Sequence, residues 1–85
     1  MYKIIFTKSA VKELKRLSNQ LIARIVPEIQ ALATEPRPSN CKKLKGEENR
    51  YRTRVGDYRI LYSIEDTIKI VEIVRIGHRK EVYNS

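Results

Sequence analysis

The chain has 85 residues and a mass of 10.0 kDa, enough for one domain over residues 1–85 and too little for a second that could hold a cofactor. Its apolar residues make up 41% of the sequence; a domain of this size buries only about 60–65% of its unfolded surface, so they are needed for one core, a deep cavity is excluded, and any site should be shallow. Lys and Arg number 18 against 10 Asp and Glu, a formal charge of +8, which favours polyanions: nucleic acid first, with membrane surfaces and acidic proteins drawn by the same field.

Tyr2 to Phe6 (YKIIF) is β-branched and aromatic and stops at Thr7, a good helix cap, so a short strand should run directly into a helix. Ala10, Val11, Leu14, Leu17 and Leu21 recur at three- and four-residue steps and form one apolar face, with Lys8, Lys12, Lys15 and Arg16 toward solvent. Ser18 and Asn19 interrupt the spacing and can cap a second helix, in which Ile22, Ile25, Val26, Ile29 and Leu32 continue it. Pro27 cannot donate a backbone hydrogen bond and should kink this helix or end it early. Pro36, Pro38, Ser39 and Asn40 close the helical region, and residues 40–49 read as a lysine-rich polar connection centred on Gly46.

Beyond it the period changes to two. Tyr51, Thr53 and Val55 should lie on one face of a strand, and Arg50, Arg52 and Arg54 on the other. Gly56-Asp57 is a turn candidate and Tyr58 to Ile64 (YRILYSI) a β-prone run, which together predict a hairpin. After a turn at Glu65-Asp66, Ile68 to Ile76 (IKIVEIVRI) has the near-continuous β-branched content of a central strand. A charged tail, 77–85, closes the chain. The predicted fold is therefore α+β in the order β-α-α-β-β-β, a helical hairpin on one face of a small, mainly antiparallel, twisted sheet. The uncovered face is where function should lie.

Cys41 is the only cysteine and His78 the only histidine, so an internal disulfide, a cysteine cage and a structural zinc site are not expected, and no cofactor is indicated. Residues 1–6 lack the apolar region of a signal peptide and no run approaches the ~20 apolar residues of a membrane span, so a cytoplasmic location without a membrane partner is expected. The glutamates form no spacing that suggests paired carboxylates, and Cys41 has no triad-like companions.

Chemistry could instead come from cations. Arg52 and Arg54 point the same way on their strand, and Arg59 joins them only if the register of the next strand allows. Arg79 and Tyr83 come after the last strand, giving a basic surface with one phenol beside it, suited to holding phosphates bidentately. Taken singly, each is as well read as a solvated strand residue, or, for Tyr83, a ring on the edge of the core. Taken as a set, so many arginines with few acids among them would repel one another unless an anion normally visits. His78 titrates near neutrality and could act as acid, base or substrate contact, although it neighbours Arg79 and adjacent side chains of an extended backbone face opposite ways.

Four stretches carry a resemblance to the RelE/ParE toxin superfamily across nearly the whole chain: YKIIFTKSAVKELKRL, LKGEENRYRTRVGDYRILYSI, KIVEIVRI and IGHRKEVY. The separation of VGDYRILY from GHRKEVY is the specific part. The resemblance implies a ribosome-dependent messenger RNA endonuclease without a metal, in which the 2′-hydroxyl attacks the adjacent phosphate. In its terms Arg52 and Arg54 are the basic pair that binds substrate, while Arg59, Arg79 and Tyr83 are catalytic; His78, read from its own chemistry, is expected as a further substrate contact. Some relatives carry lysine where this chain has Arg52 and Arg54, and arginine, always charged, is no general base. The partners implied are an acidic, RelB-like antitoxin and messenger RNA in the ribosomal decoding site. Two other readings share the fold: a ParE-like poison of DNA gyrase, and a module that binds RNA or protein without catalysis.

Overall fold

Thr7 ends the first strand and caps the first helix in one residue: its backbone is extended and its side chain accepts from the Ala10 N–H. The computed structural model describes residues 1–78. In chain order these form β1 (Lys3–Phe6), α1 (Lys8–Lys15), α2 (Asn19–Ala31), β2 (Lys42–Lys43), β3 (Arg50–Val55), β4 (Tyr58–Glu65) and β5 (Ile70–His78). The strands make one sheet in the order β1-β5-β4-β3-β2, antiparallel except where β1 runs parallel to β5. This is the expected α+β architecture with one strand added.

Both helices cover the same face. Ala10 from α1 and Ile25, Ile29 and Leu32 from α2 or its cap pack on Ile60, Tyr62 and Ile64 of β4 and Val71, Ile73 and Ile76 of β5. Val11, read as part of the apolar face, sits at its margin and is exposed, because α1 turns Ala10 and Leu14 inward instead. Pro27 does not break α2. The carbonyl it leaves without its usual donor belongs to Ala23, and both residues are exposed, so water can satisfy that group.

Two further expectations are corrected. The lysine-rich connection contains β2, whose two residues pair with β3 as Lys42↔Arg52 and Lys43↔Tyr51. The last strand begins at Ile70 rather than Ile68, because Lys69 adopts a positive φ of 57° and Ile68 is left exposed in the turn.

At one end of the sheet a latch joins four segments. Arg37 donates to Asp66 through both terminal guanidinium nitrogens, at 2.8 and 3.2 Å, and through its Nε to the Tyr51 hydroxyl at 3.2 Å. Tyr2 donates its hydroxyl to the same carboxylate at 2.6 Å. The hydrogen bonds from Arg37 and then Tyr2 pull the Asp66 carboxyl down to about 2, and the bond to Asp66 in turn raises Arg37. Beneath the latch Tyr51 stacks on Tyr62, whose buried hydroxyl donates to the Pro36 carbonyl at 2.8 Å; burial raises that phenol. The loop after α2 is thereby fixed, and the opposite end of the sheet is left for the arginines.

Candidate functional site

Residues paired across antiparallel strands share a face, so the register decides what the sequence left open. In β3 and β4, Arg54 lies directly opposite Arg59, and Arg52 opposite Leu61. Since Tyr51, Val55, Ile60 and Tyr62 face the helices, Arg50, Arg52, Arg54 and Arg59 all face the other way. Cross-strand neighbours of this kind have Cβ atoms about 5 Å apart, and residues two apart on one strand about 6.6 Å. Arg52, Arg54 and Arg59 therefore leave the sheet within the spacing of one or two phosphates.

Exposure divides them. Arg54 is open to solvent, while Arg52 is 8% exposed and Arg59 only 4%. Arg54 is thus the arginine most open to an incoming anion, with Arg52 and Arg59 seated beside it on the same face. Lys42, paired with Arg52 through β2, adds a fourth cation to the group of Arg52, Arg54 and Arg59. Sequence reasoning missed it because two residues are too few to show a period, so the segment read as loop.

The same face is segregated by charge. Away from the Gly56 hairpin, Glu47, Glu48, Glu65 and Glu72 surround Arg50 in a shallow depression of about 350 Å³. Among the described residues no three His, Cys, Asp or Glu side chains are grouped so as to hold a metal ion. A chain of phosphates would thus find cations at the hairpin end and carboxylates at the other.

His78 does not join the arginines. It pairs with Tyr58 across β4 and β5 and meets that ring edge-on, with centroids 5.6 Å apart, on the face that carries the helices. There it borders a cavity of about 230 Å³ together with Glu13, Arg16, Leu17 and Tyr58. Opposite Arg59 on β5 stands Gly77, which presents no side chain to the arginine face. Arg79 and Tyr83, expected to complete the site, lie outside the described residues.

Among the described residues no helix is long and apolar enough to cross a membrane. A family profile described as the ParE toxin of type II toxin-antitoxin system, parDE, matches residues 4–83. Toxin RelE3 of Methanocaldococcus jannaschii is 36% identical over 90 residues, which cover 96% of this chain and 96% of that protein. The fold superposes on a chain of the archaeal RelE-RelB complex from Pyrococcus horikoshii with a TM-score of 0.82 and 31% identity, covering 92% of this chain and 94% of that one. It superposes on a chain of the toxin-antitoxin complex RelBE2 from Mycobacterium tuberculosis with a TM-score of 0.79 and 33% identity, covering 92% and 98%. With sequence, superposed fold and coverage in agreement, the chain belongs to the RelE/ParE superfamily, the toxins of type II toxin-antitoxin systems.

Proposed function

We propose that this toxin acts as one domain and is a ribosome-dependent endoribonuclease that cuts messenger RNA in the decoding site and so stops translation. The observation that carries this reading is Arg54 standing directly opposite Arg59, with Arg52 on the same face: a cluster of guanidinium groups suited to a phosphodiester. In the reaction the 2′-hydroxyl oxygen attacks the adjacent phosphorus and the bond to the 5′-oxygen breaks. A cyclic phosphate and a 5′-hydroxyl end are left, and no metal takes part. Arg52 and Arg54 hold and orient the backbone. Arg59 and Arg79 stabilise the charge that builds on the phosphate oxygens, and Tyr83 assists proton transfer or stacks on a base. His78, on the other face, would reach substrate only around the end of the sheet.

The partner is an acidic antitoxin. Relatives of this fold were solved in complexes of RelE with RelB, and a protein of charge +8 is suited to a partner of opposite sign. Both the messenger and that partner put the toxin in the cytoplasm.

The test is to add the protein to ribosomes carrying a defined messenger and map new 5′ ends by primer extension, with Arg79→Ala and ribosome-free messenger as controls. Cuts that need both the ribosome and Arg79 support the reading. The matching profile is described as a ParE toxin, which keeps a gyrase poison as the second reading; intact messenger together with trapped gyrase-cleaved DNA would replace the first reading by that one.

A further inference from the structure

We propose that Glu13 is a positioning residue for the nuclease site, holding the end of β5 that leads into Arg79. The inference rests on the reading that Arg79 touches the phosphate. β1 accompanies β5 only as far as Phe6↔Ile73, yet β5 continues to His78, so its outer edge loses a strand partner halfway. Unpaired, that edge would fray. Instead α1 and its cap take over the ladder. The Thr7 N–H donates to the Ile73 carbonyl at 3.0 Å, the Thr7 hydroxyl donates to the Val74 carbonyl at 2.9 Å, and Glu13 Oε1 accepts from the Ile76 N–H at 2.9 Å.

The other carboxylate oxygen of Glu13 accepts from Arg75 Nε at 3.0 Å. This grip falls where β5 is irregular: Leu61 pairs with Arg75 while Tyr62 pairs with Ile73, so Val74 is an extra residue in the ladder. A bulge re-aims the residues on its C-terminal side. Immediately after this one a single, partly buried carboxylate fixes both a side chain and a backbone amide; β4 holds the opposite edge, through Gly77 paired with Arg59. Arg79 is two residues beyond Gly77. The backbone that leads into Arg79 is thus pinned at Ile76 by a residue of the first helix, and an error of about 1 Å in a reacting group can lower a rate by about 100-fold.

The experiment compares Glu13→Ala, Glu13→Gln, Glu13→Asp and Arg75→Ala in the ribosome assay. It measures the single-turnover cleavage rate, the toxin concentration for half-saturation, and amide hydrogen exchange at Ile76. Glu13→Ala is expected to slow cleavage by about 10- to 100-fold, to leave half-saturation within about 3-fold, and to speed exchange at Ile76 by about 10-fold. Glu13→Gln, whose amide oxygen still accepts from the Ile76 N–H, should recover most of the rate. Glu13→Asp, charged but too short, should not, and it replaces Glu13→Ala as the test if that variant fails to fold. Arg75→Ala leaves the backbone bond in place and should stay within about 3-fold of wild type. The proposal is overturned if Glu13→Ala cuts at the wild-type rate while Ile76 exchanges faster, if Glu13→Gln is no better than Glu13→Asp, or if only half-saturation changes. A wild-type protein that never cuts sinks the nuclease reading itself; Arg79-dependent cutting indifferent to Glu13 sinks this inference alone.

Discussion

Arg54 and Arg59 stand directly opposite each other across β3 and β4. Like charges directly across an antiparallel pair cost about 0.2–1 kcal/mol, so Arg54→Gln should raise the thermal midpoint slightly while weakening cleavage of ribosome-bound messenger, the opposite signs expected of a residue kept for function. If Arg54→Gln lowered stability and left cleavage intact, Arg54 would be an ordinary structural residue. Asp66 behaves in the reverse sense. Its carboxyl is held at about 2, below its ordinary value of 3.8, so its contribution to stability is complete above that ordinary value and is lost as the pH falls toward 2. Thermal melts of wild type and Asp66→Asn should accordingly differ at pH 6 and converge near pH 2; a difference that persists in acid would mean the latch does not depend on the ionised carboxylate.

At the scale of elements, the β3-β4 hairpin sets the site, because its turn fixes which arginines face each other. Gly56 has a positive φ of 60° and Asp57 does not, the pattern of a two-residue turn that needs glycine first. A Cβ there would come within 3.3 Å of the Arg24 guanidinium, which is exposed and can move aside, so the penalty of Gly56→Ala is backbone strain. That penalty is about 1–2 kcal/mol and should lower the melting temperature by roughly 4–12 °C. An unchanged melting temperature would show that the turn tolerates a side chain. The hairpin was legible because alternation over β3 and a glycine at the turn are local signals. β2 was not, since its two residues become a strand only through pairing with β3.

For the molecule as a whole, charge is distributed by face and by end: cations at the hairpin, carboxylates around Arg50, and the Arg37-Asp66 latch at the far end. Binding of single-stranded RNA should weaken with salt, each phosphate paired with a cation contributing about 0.7 to the slope of log affinity against log salt. Lys42→Ala should flatten that slope by about 0.7 if Lys42 lies on the track of the backbone. A slope identical to wild type would exclude it.

From the sequence alone came the two helices, the alternation that segregates Arg52 and Arg54 from Tyr51 and Val55, and the α+β order, because periods of 3.6 and 2 are properties of neighbouring residues. Only the tertiary structure decided that Arg59 meets Arg54, that Lys42 joins them, that His78 turns to the opposite face, and that Glu13 caps the end of β5. Each of these depends on register or on a contact between distant segments, and register is set by which face the whole sheet buries.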